Sequence, residues 1–280
     1  MNNTVRDLFS QMEQGVDHIY GVARTNSEQA IEIEMREKVA TTRHTDPLAH
    51  IAKHHSIPVM DFEVLRFLAL IPSNGVIIDI GGCWGWHWRN VQVLRPDVKI
   101  FIVDFVRSNL LHAKQLLGSA INESIFLVRG DATALEFPSE VFDGIWTVQT
   151  FQHIPAYEKA VAEAYRVLKK KGVFANYSLN VQPHIRGIKR MTGKSYLEAG
   201  WIDGSFWLAR ASNEQKNQIE AIFGSRVTER WSEIFYSPEL HFSAPGIENN
   251  WLGKLDVLLS NNTGFLSKYA RQHSFHCEKL

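Results

Sequence analysis

The residues most suited to chemistry cluster in VIIDIGGCWGWHW, positions 76–88. An apolar run carries Asp79, passes through Gly81, Gly82 and Gly85, and opens what reads as a helix. Glycines suit a place where the backbone turns tightly and a ligand approaches with no Cβ in the way. A helix start adds unpaired N–H donors that suit a carboxylate or phosphate. The spacing D-x-G-x-x-x-G differs from the dinucleotide fingerprint G-x-G-x-x-G, so alone it is a general nucleotide-loop signal. Two further acids sharpen it. Asp104 ends the run KIFIVD, where a carboxylate can accept both hydroxyls of a ribose. Asp131, in RGDATAL, lies just past the next apolar run, within reach of an adenine amino group.

These residues need a sheet to align them, and the sequence supplies one. VIIDI (76–80), KIFIVDF (99–105), SIFLV (124–128), FDGIWTV (142–148) and GVFANYSL (172–179) read as strands. Helical spacing falls between them at 85–94, 108–117 and 156–170, the last with Pro155 and Glu158 at its start and Lys169–Lys171 before Gly172. Short apolar strands alternating with helices imply a parallel sheet covered on both faces. The expected fold is therefore α/β and doubly wound, with the three polar residues at the carboxyl edge where such sheets bind ligands.

On either side the pattern is less regular. Val5, Leu8, Phe9, Met12, Val16, Ile19 and Tyr20 recur at helical steps, and 28–40 reads as a charged surface helix. A His-rich stretch follows, then a helix expected from an Asp61 N-cap with Val64, Leu65, Leu68 and Ile71 as its stripe. After Leu179 come a basic cluster (Arg186, Lys189, Arg190, Lys194), a helix through 215–223, a strand-like run at 227–237, and SFHCEKL (274–280) as a final strand.

Composition narrows the options. The 280 residues carry 30 Lys+Arg against 30 Asp+Glu, which argues against a protein that grips nucleic acid mainly by charge. Two cysteines cannot form a disulfide framework, no apolar run reaches the ~18 residues that span a bilayer, and the first residues lack the apolar stretch of a signal peptide. A cytoplasmic protein is expected. Oligomeric state is not legible.

On these motifs the chain resembles the class I S-adenosylmethionine-dependent methyltransferases. VIIDIGGCWG is similar to the family's first motif, IFIVDF to its second acidic strand, and GDATAL to its adenine-contacting turn. FDGIWTVQTFQHIP is similar to its fourth strand and active-site turn, and YRVLKKKGVF to the junction before its fifth strand. The resemblance covers roughly 60–180. It implies a seven-stranded Rossmann-like sheet whose last strand is antiparallel. It also implies S-adenosylmethionine as cofactor, S-adenosylhomocysteine as product, and Asp79, Gly81, Gly82, Cys83, Gly85, Asp104, Phe105, Asp131, Ala132 and Gln149 as cofactor-binding positions. One departure stands out: Cys83 occupies a position where the family usually has glycine. The organisation expected is an N-terminal helical extension or lid (1–60), the cofactor core (61–180), an insertion forming the acceptor site (181–225), and strands six and seven with an intervening insertion (226–280).

The reaction implied moves a methyl group in line onto oxygen or nitrogen of a small molecule or glycan-type precursor. His153, just past the fourth strand, is the candidate base, since a neutral histidine suits proton removal near pH 7. The turn TVQTFQHIP lacks the Asn/Asp-Pro-Pro-aromatic sequence by which nucleobase-modifying members hold an exocyclic amine. Trp84, Trp86 and Trp88 cannot all face one way on a helix, so one or two should pack on the sheet. His54 and His55 read as a lid or an exposed loop, and Tyr177, Tyr196, Arg210 and His241 fall in segments expected to line the acceptor side. His273, His276 and Cys277 do not converge on a strand, and no metal site is expected. The alternatives are a binding protein that keeps the fold without catalysis, for which Cys83 speaks, and an NAD-dependent oxidoreductase, which Asp104 would also suit.

Overall fold

The computed structural model describes residues 8, 12, 15, 17–21, 33, 34, 36–38, 46–194, 196, 200–202, 205–207, 213–235, 251–260, 264 and 266–280. In chain order, strand β1 (Ile19–Tyr20) is followed by helices α1 (Pro47–Ile51) and α2 (Ile57–Leu68), then β2 (Val76–Ile80). A 3-10 turn (Trp86–Trp88) and the short α3 (Val91–Leu94) lead to β3 (Lys99–Asp104), α4 (Arg107–Leu117), β4 (Ile125–Arg129) and β5 (Phe142–Val148). Next come α5 (Tyr157–Val167), β6 (Leu168–Leu179), α6 (Pro183–Met191), the hairpin β7 (Gly200–Ile202) and β8 (Ser205–Trp207), and α7 (Asn213–Phe223). β9 (Thr228–Ser232), α8 (Trp251–Leu259) and β10 (Gln272–Glu278) follow, and further 3-10 turns lie at Gly118–Ala120 and Phe151–His153.

Eight strands form one sheet in the order β1-β4-β3-β2-β5-β6-β10-β9. The pairs β1·β4, β4·β3, β3·β2, β2·β5 and β5·β6 are parallel, and β10 is antiparallel to both β6 and β9. The doubly wound α/β expectation is met, down to the antiparallel last strand. β2 and β3 are apolar almost throughout because both faces are covered, and successive residues alternate between the two cores. Ile78, Ile80, Phe101, Val103 and Phe126 face α5 and α7, whereas Ile77, Ile100, Ile102, Leu127 and Trp146 face α2, α4 and the tryptophans. α5 presents Tyr157, Ala160, Val161, Ala164 and Val167 to the first core at helical spacing, with Glu158 and Arg166 placed to suit the helix dipole.

Several expected boundaries shift, each for a physical reason. Ile19 and Tyr20 extend no helix: they pair with Leu127 and Val128 as an extra edge strand. α2 begins at Ile57 after Ser56, because Pro58 sits in the first turn, where its missing N–H costs nothing. Asp61 lies inside that helix, paired with Arg89 through two contacts of 2.8 and 2.6 Å. Leu65 is 48% exposed, and the inward face is Met60, Glu63, Val64, Phe67 and Leu68. The expected helix at 85–94 is a 3-10 turn plus a single short helix. Lys169–Lys171 belong to β6 rather than to the end of α5, where Lys169 Nζ reaches Asp143 at 2.8 Å. Val5, Phe9, Val16, Arg210 and His241 lie outside the described residues.

Candidate active site

The glycine loop leaves β2 and folds back on the end of β3. Gly81 N donates to Val103 O at 2.7 Å and Gly85 N to Gly82 O at 2.8 Å. Gly81 (φ 72°) and Gly85 (φ 64°) occupy the left-handed region, and a Cβ on Gly81 would fall 2.1 Å from Thr150 Cγ2. Glycine is therefore required at Gly81 on two counts. Cys83 also has a positive φ, 51°, without glycine's freedom.

Asp104 ties the loop to the next strand. Its Oδ2 accepts from Cys83 N at 3.0 Å, and its Oδ1 from Val106 N at 2.8 Å. Desolvation pushes the carboxyl up to about 6, even though these donors favour the ionised form. Asp79 is more deeply set. Its Oδ2 accepts from Trp88 Nε1 at 2.7 Å, and desolvation raises its carboxyl to about 7. The Asp79 carboxylate thus braces the loop from beneath, with Gly82 held directly against it. Cys83 is exposed as a residue, yet desolvation about its sulfur, with the Asp104 charge next, raises the thiol above the cysteine range. A raised thiol is a poor nucleophile near neutral pH.

The third strand end lies beside the second: Gly130 N donates to Asp104 O at 3.2 Å. Asp131 Oδ1 accepts from Thr133 N and Thr133 Oγ1, both at 2.8 Å, which fixes the turn. Phe105 and Ala132, each half-buried, flank these two acids. From β5, Gln149 (φ 52°) donates its amide to Tyr177 O at 2.7 Å, and its side-chain Nε2 is buried without a partner. Thr150 Oγ1 donates across to Gly81 O at 3.2 Å. The structure therefore gathers the glycine loop, Asp104, Asp131 and Gln149 along one edge of the sheet. The glycine cradle and the unpartnered amide fit a ribosyl cofactor with a polar tail.

His153 is half-buried beyond β5, 3.4 Å from Gln152 Nε2. Gln152 itself is fixed, accepting from Ser178 Oγ at 3.1 Å and Leu179 N at 2.9 Å. All three tryptophans of the loop are buried. Trp86 lies between His87, stacked at 4.0 Å, and His55, at 5.6 Å. Trp84 contacts His50 at 5.3 Å and His112 at 4.8 Å. Burial lowers His87 to about 3 and holds His55 well below the usual histidine range, so both stay neutral at pH 7. His273 pairs with Glu229 and His276 with Ser274.

Sequence reasoning missed two buried acids. Glu63 accepts from Tyr177 Oη at 2.9 Å and lies 3.4 Å from Arg66 and 3.9 Å from Arg230. Glu233 accepts from Ser56 N and Arg271 Nη1, each at 2.8 Å. Glu63 did leave a trace, as an acid on the inward face of an apolar helix. Glu233 left none, because its partners lie far away along the chain.

The strand order with its strand-end acids and glycine loop defines a Rossmann-like domain for a nucleoside-bearing cofactor. Residues 78–176 match the family described as a methyltransferase domain. A demethylmenaquinone methyltransferase of Listeria monocytogenes is 24% identical over 158 residues, covering 51% of this chain and 66% of that protein. A sterol 24-C-methyltransferase of Eremothecium gossypii is 36% identical over 115 residues, 40% of this chain and 30% of that one. The chain thus spans just under two thirds of the first of these relatives and a smaller part of the second. Among solved structures, the [4+2]-cyclase SpnF superposes with a TM-score of 0.59 at 14% identity, covering 92% of this chain and 97% of its own. A chain of the Haloferax volcanii complex between the Trm112 methyltransferase activator and a methyltransferase gives 0.56 at 14%, covering 92% and 99%. The chain carries a class I S-adenosylmethionine-dependent methyltransferase domain, and S-adenosylmethionine is the cofactor of that domain.

Proposed function

We propose that this chain is a working methyltransferase that moves a methyl group onto a small organic acceptor. The observation that carries the reading is the Asp104 carboxylate, fixed by the Cys83 and Val106 amides between the glycine loop and the end of β3. Asp104 would hold the ribose hydroxyls, the Asp131 turn the adenine, and the loop with Gln149 the polar tail. Bound S-adenosylmethionine supplies a methyl group already activated by a sulfonium. The protein's own part is then to align the acceptor and, for a hydroxyl, to take its proton.

The acceptor would enter beside 151–153 and the start of α2, where His153 and the His55–Trp86–His87 group lie. Oxygen and nitrogen acceptors, glycan-type precursors among them, remain within this reading. The names of the relatives bring in quinone and sterol rings and transfer to carbon. Neutral rings packed on tryptophan would suit such a ring better than a sugar. A cytoplasmic location belongs to the same reading; among the described residues no helix is long and apolar enough to cross a membrane.

Calorimetric titration of S-adenosylmethionine, S-adenosylhomocysteine and NAD tests the cofactor half. Transfer of labelled methyl to a panel of naphthoquinols, sterols, phenols, amines and sugar precursors tests the acceptor half. Binding of both sulfur compounds but not NAD, with label on at least one acceptor, is the expected result. If His153 is the base for a hydroxyl acceptor, His153→Ala lowers kcat by about 10²–10⁴ with cofactor affinity unchanged. Binding without transfer to any acceptor would favour the non-catalytic alternative, and NAD binding alone would overturn the reading.

A further inference from the structure

The chain's formal charge is zero, yet between Gln182 and Lys194 it carries Arg186, Lys189, Arg190 and Lys194 and no acid. The structure places Arg186, Lys189 and Arg190 on α6, which leaves the carboxyl end of β6 on the cofactor side of the sheet, and Lys194 in the turn just past it. Ile185 is the buried anchor of the helix, and Arg186, Gly187, Arg190 and Met191 are exposed, Met191 at 81%. Among the described residues nothing requires glycine at Gly187. Its φ is not positive, and among the described residues a Cβ there would meet nothing within 4 Å. A glycine inside a helix is unfavourable relative to alanine, so its use on an outward face suits close approach by something external.

A second exposed element extends the face. Gln182 Nε2 donates to Tyr269 O at 2.8 Å, and the His184 ring lies 5.4 Å from that of Tyr269. Tyr269 is itself 39% exposed, with the Lys268 ammonium 5.1 Å over its ring. Cations are therefore interspersed with one flexible apolar side chain and one aromatic. Arg186, Arg190, Lys194 and Lys268 are exposed together with Met191 and Tyr269, and this mixture of separate cations with apolar side chains suits an extended anionic surface better than a single small anion.

We propose that α6 and the Lys268–Tyr269 turn form a docking face for an anionic lipid bilayer. Arg186, Lys189, Arg190, Lys194 and Lys268 would meet the headgroups, and Met191 and Tyr269 would enter the interfacial layer. Basic residues close to such a surface each strengthen binding about fivefold, and salt screens the effect. Docking would set the acceptor entrance against the bilayer, but the proposal does not rest on the nature of the acceptor.

The test is co-sedimentation of the full chain with vesicles of phosphatidylcholine alone and with 30% phosphatidylserine, with no acceptor present. Binding to the anionic vesicles only, lost in high salt and reduced about 25-fold in Arg186→Gln/Arg190→Gln, is expected. Lys170→Gln/Lys171→Gln, exposed at the opposite end of β6, removes the same charge and should change nothing. Circular dichroism and S-adenosylmethionine titration of both variants check that the fold is intact. Equal binding to neutral vesicles, no binding to anionic vesicles at low salt, or an equal loss in the Lys170/Lys171 variant would overturn the proposal. So would displacement by tripolyphosphate at matched ionic strength, which would assign the face to a discrete anion, or equal binding to single-stranded RNA.

Discussion

At the ends of β2, β3 and β4, polar contacts join residues that are close in the chain. Trp88 reaches Asp79 across nine positions, and Val106 reaches Asp104 and Thr133 reaches Asp131 across two. Around α2 and the ends of β6 and β10 the contacts span the molecule. Tyr177 meets Glu63 across 114 positions and Ser56 meets Glu233 across 177. The first region is built from local turns, joined to one another by a few contacts of moderate span such as Cys83 to Asp104 across 21 positions. The second exists only once distant segments have packed. Damage to the first should therefore strike ligand binding, and damage to the second should strike stability.

The largest effect expected is in the second region. Glu233→Ala removes the carboxylate that the buried Arg271 guanidinium and the Ser56 amide share, which should cost about 3–5 kcal/mol in urea unfolding. Cofactor affinity, measured where the variant is still folded, should stay near wild type. A tenfold loss of affinity would break the contrast between the two regions. Gly81→Ala is the counterpart at the loop: its Cβ falls on Thr150 and its φ is unfavourable. Calorimetry should show at least a hundredfold loss of S-adenosylmethionine affinity. Adding Thr150→Ala should restore all but the backbone cost of about 1–2 kcal/mol.

Asp104 sharpens the comparison through pH. Its carboxyl is raised to about 6 from an ordinary value near 3.8, so the folded protein binds more protons than the unfolded chain between those values. Its contribution to stability therefore falls as pH rises through that window, and Asp79, at about 7, extends the fall upward. Cofactor binding runs the other way if the ionised carboxylate accepts the ribose hydroxyls. Affinity should rise about tenfold from pH 5 to pH 7 in titrations, and Asp104→Asn should be weak and flat across the range. The smallest effect is at Cys83. Cys83→Gly relieves a side chain held at φ 51° and should raise stability by about 1 kcal/mol in thermal melts. A drop instead would mean that the thiol packs usefully in the loop.

The same contrast explains what could be read in advance. Asp104, Asp131 and the glycines declare themselves because a strand, a turn and a strand-end acid are contiguous in sequence. The sheet follows from its apolar runs, whereas the antiparallel β10 is legible only through the family resemblance, which implies a last strand of that sense. Glu233 and Arg271 could not be found, since a buried pair has no signature until β9 and β10 are side by side. Trp88 was visible, but its bond to Asp79 was not, because the expected helix proved to be a tighter 3-10 turn. Ile19 and Tyr20 depart from the helical expectation for a related reason: two apolar residues fit a helical stripe as well as an edge strand, and only β4 decides between them.

β10 slots between β6 and β9, both of which precede it in the chain. During synthesis, therefore, β6 and β9 must wait with their facing edges unpaired until residues 272–278 emerge. In that interval β6 offers a long apolar edge next to a nearly complete sheet. The nascent chain is at its most adhesive just before its architecture closes, and the rate of that last insertion governs how much of it escapes aggregation.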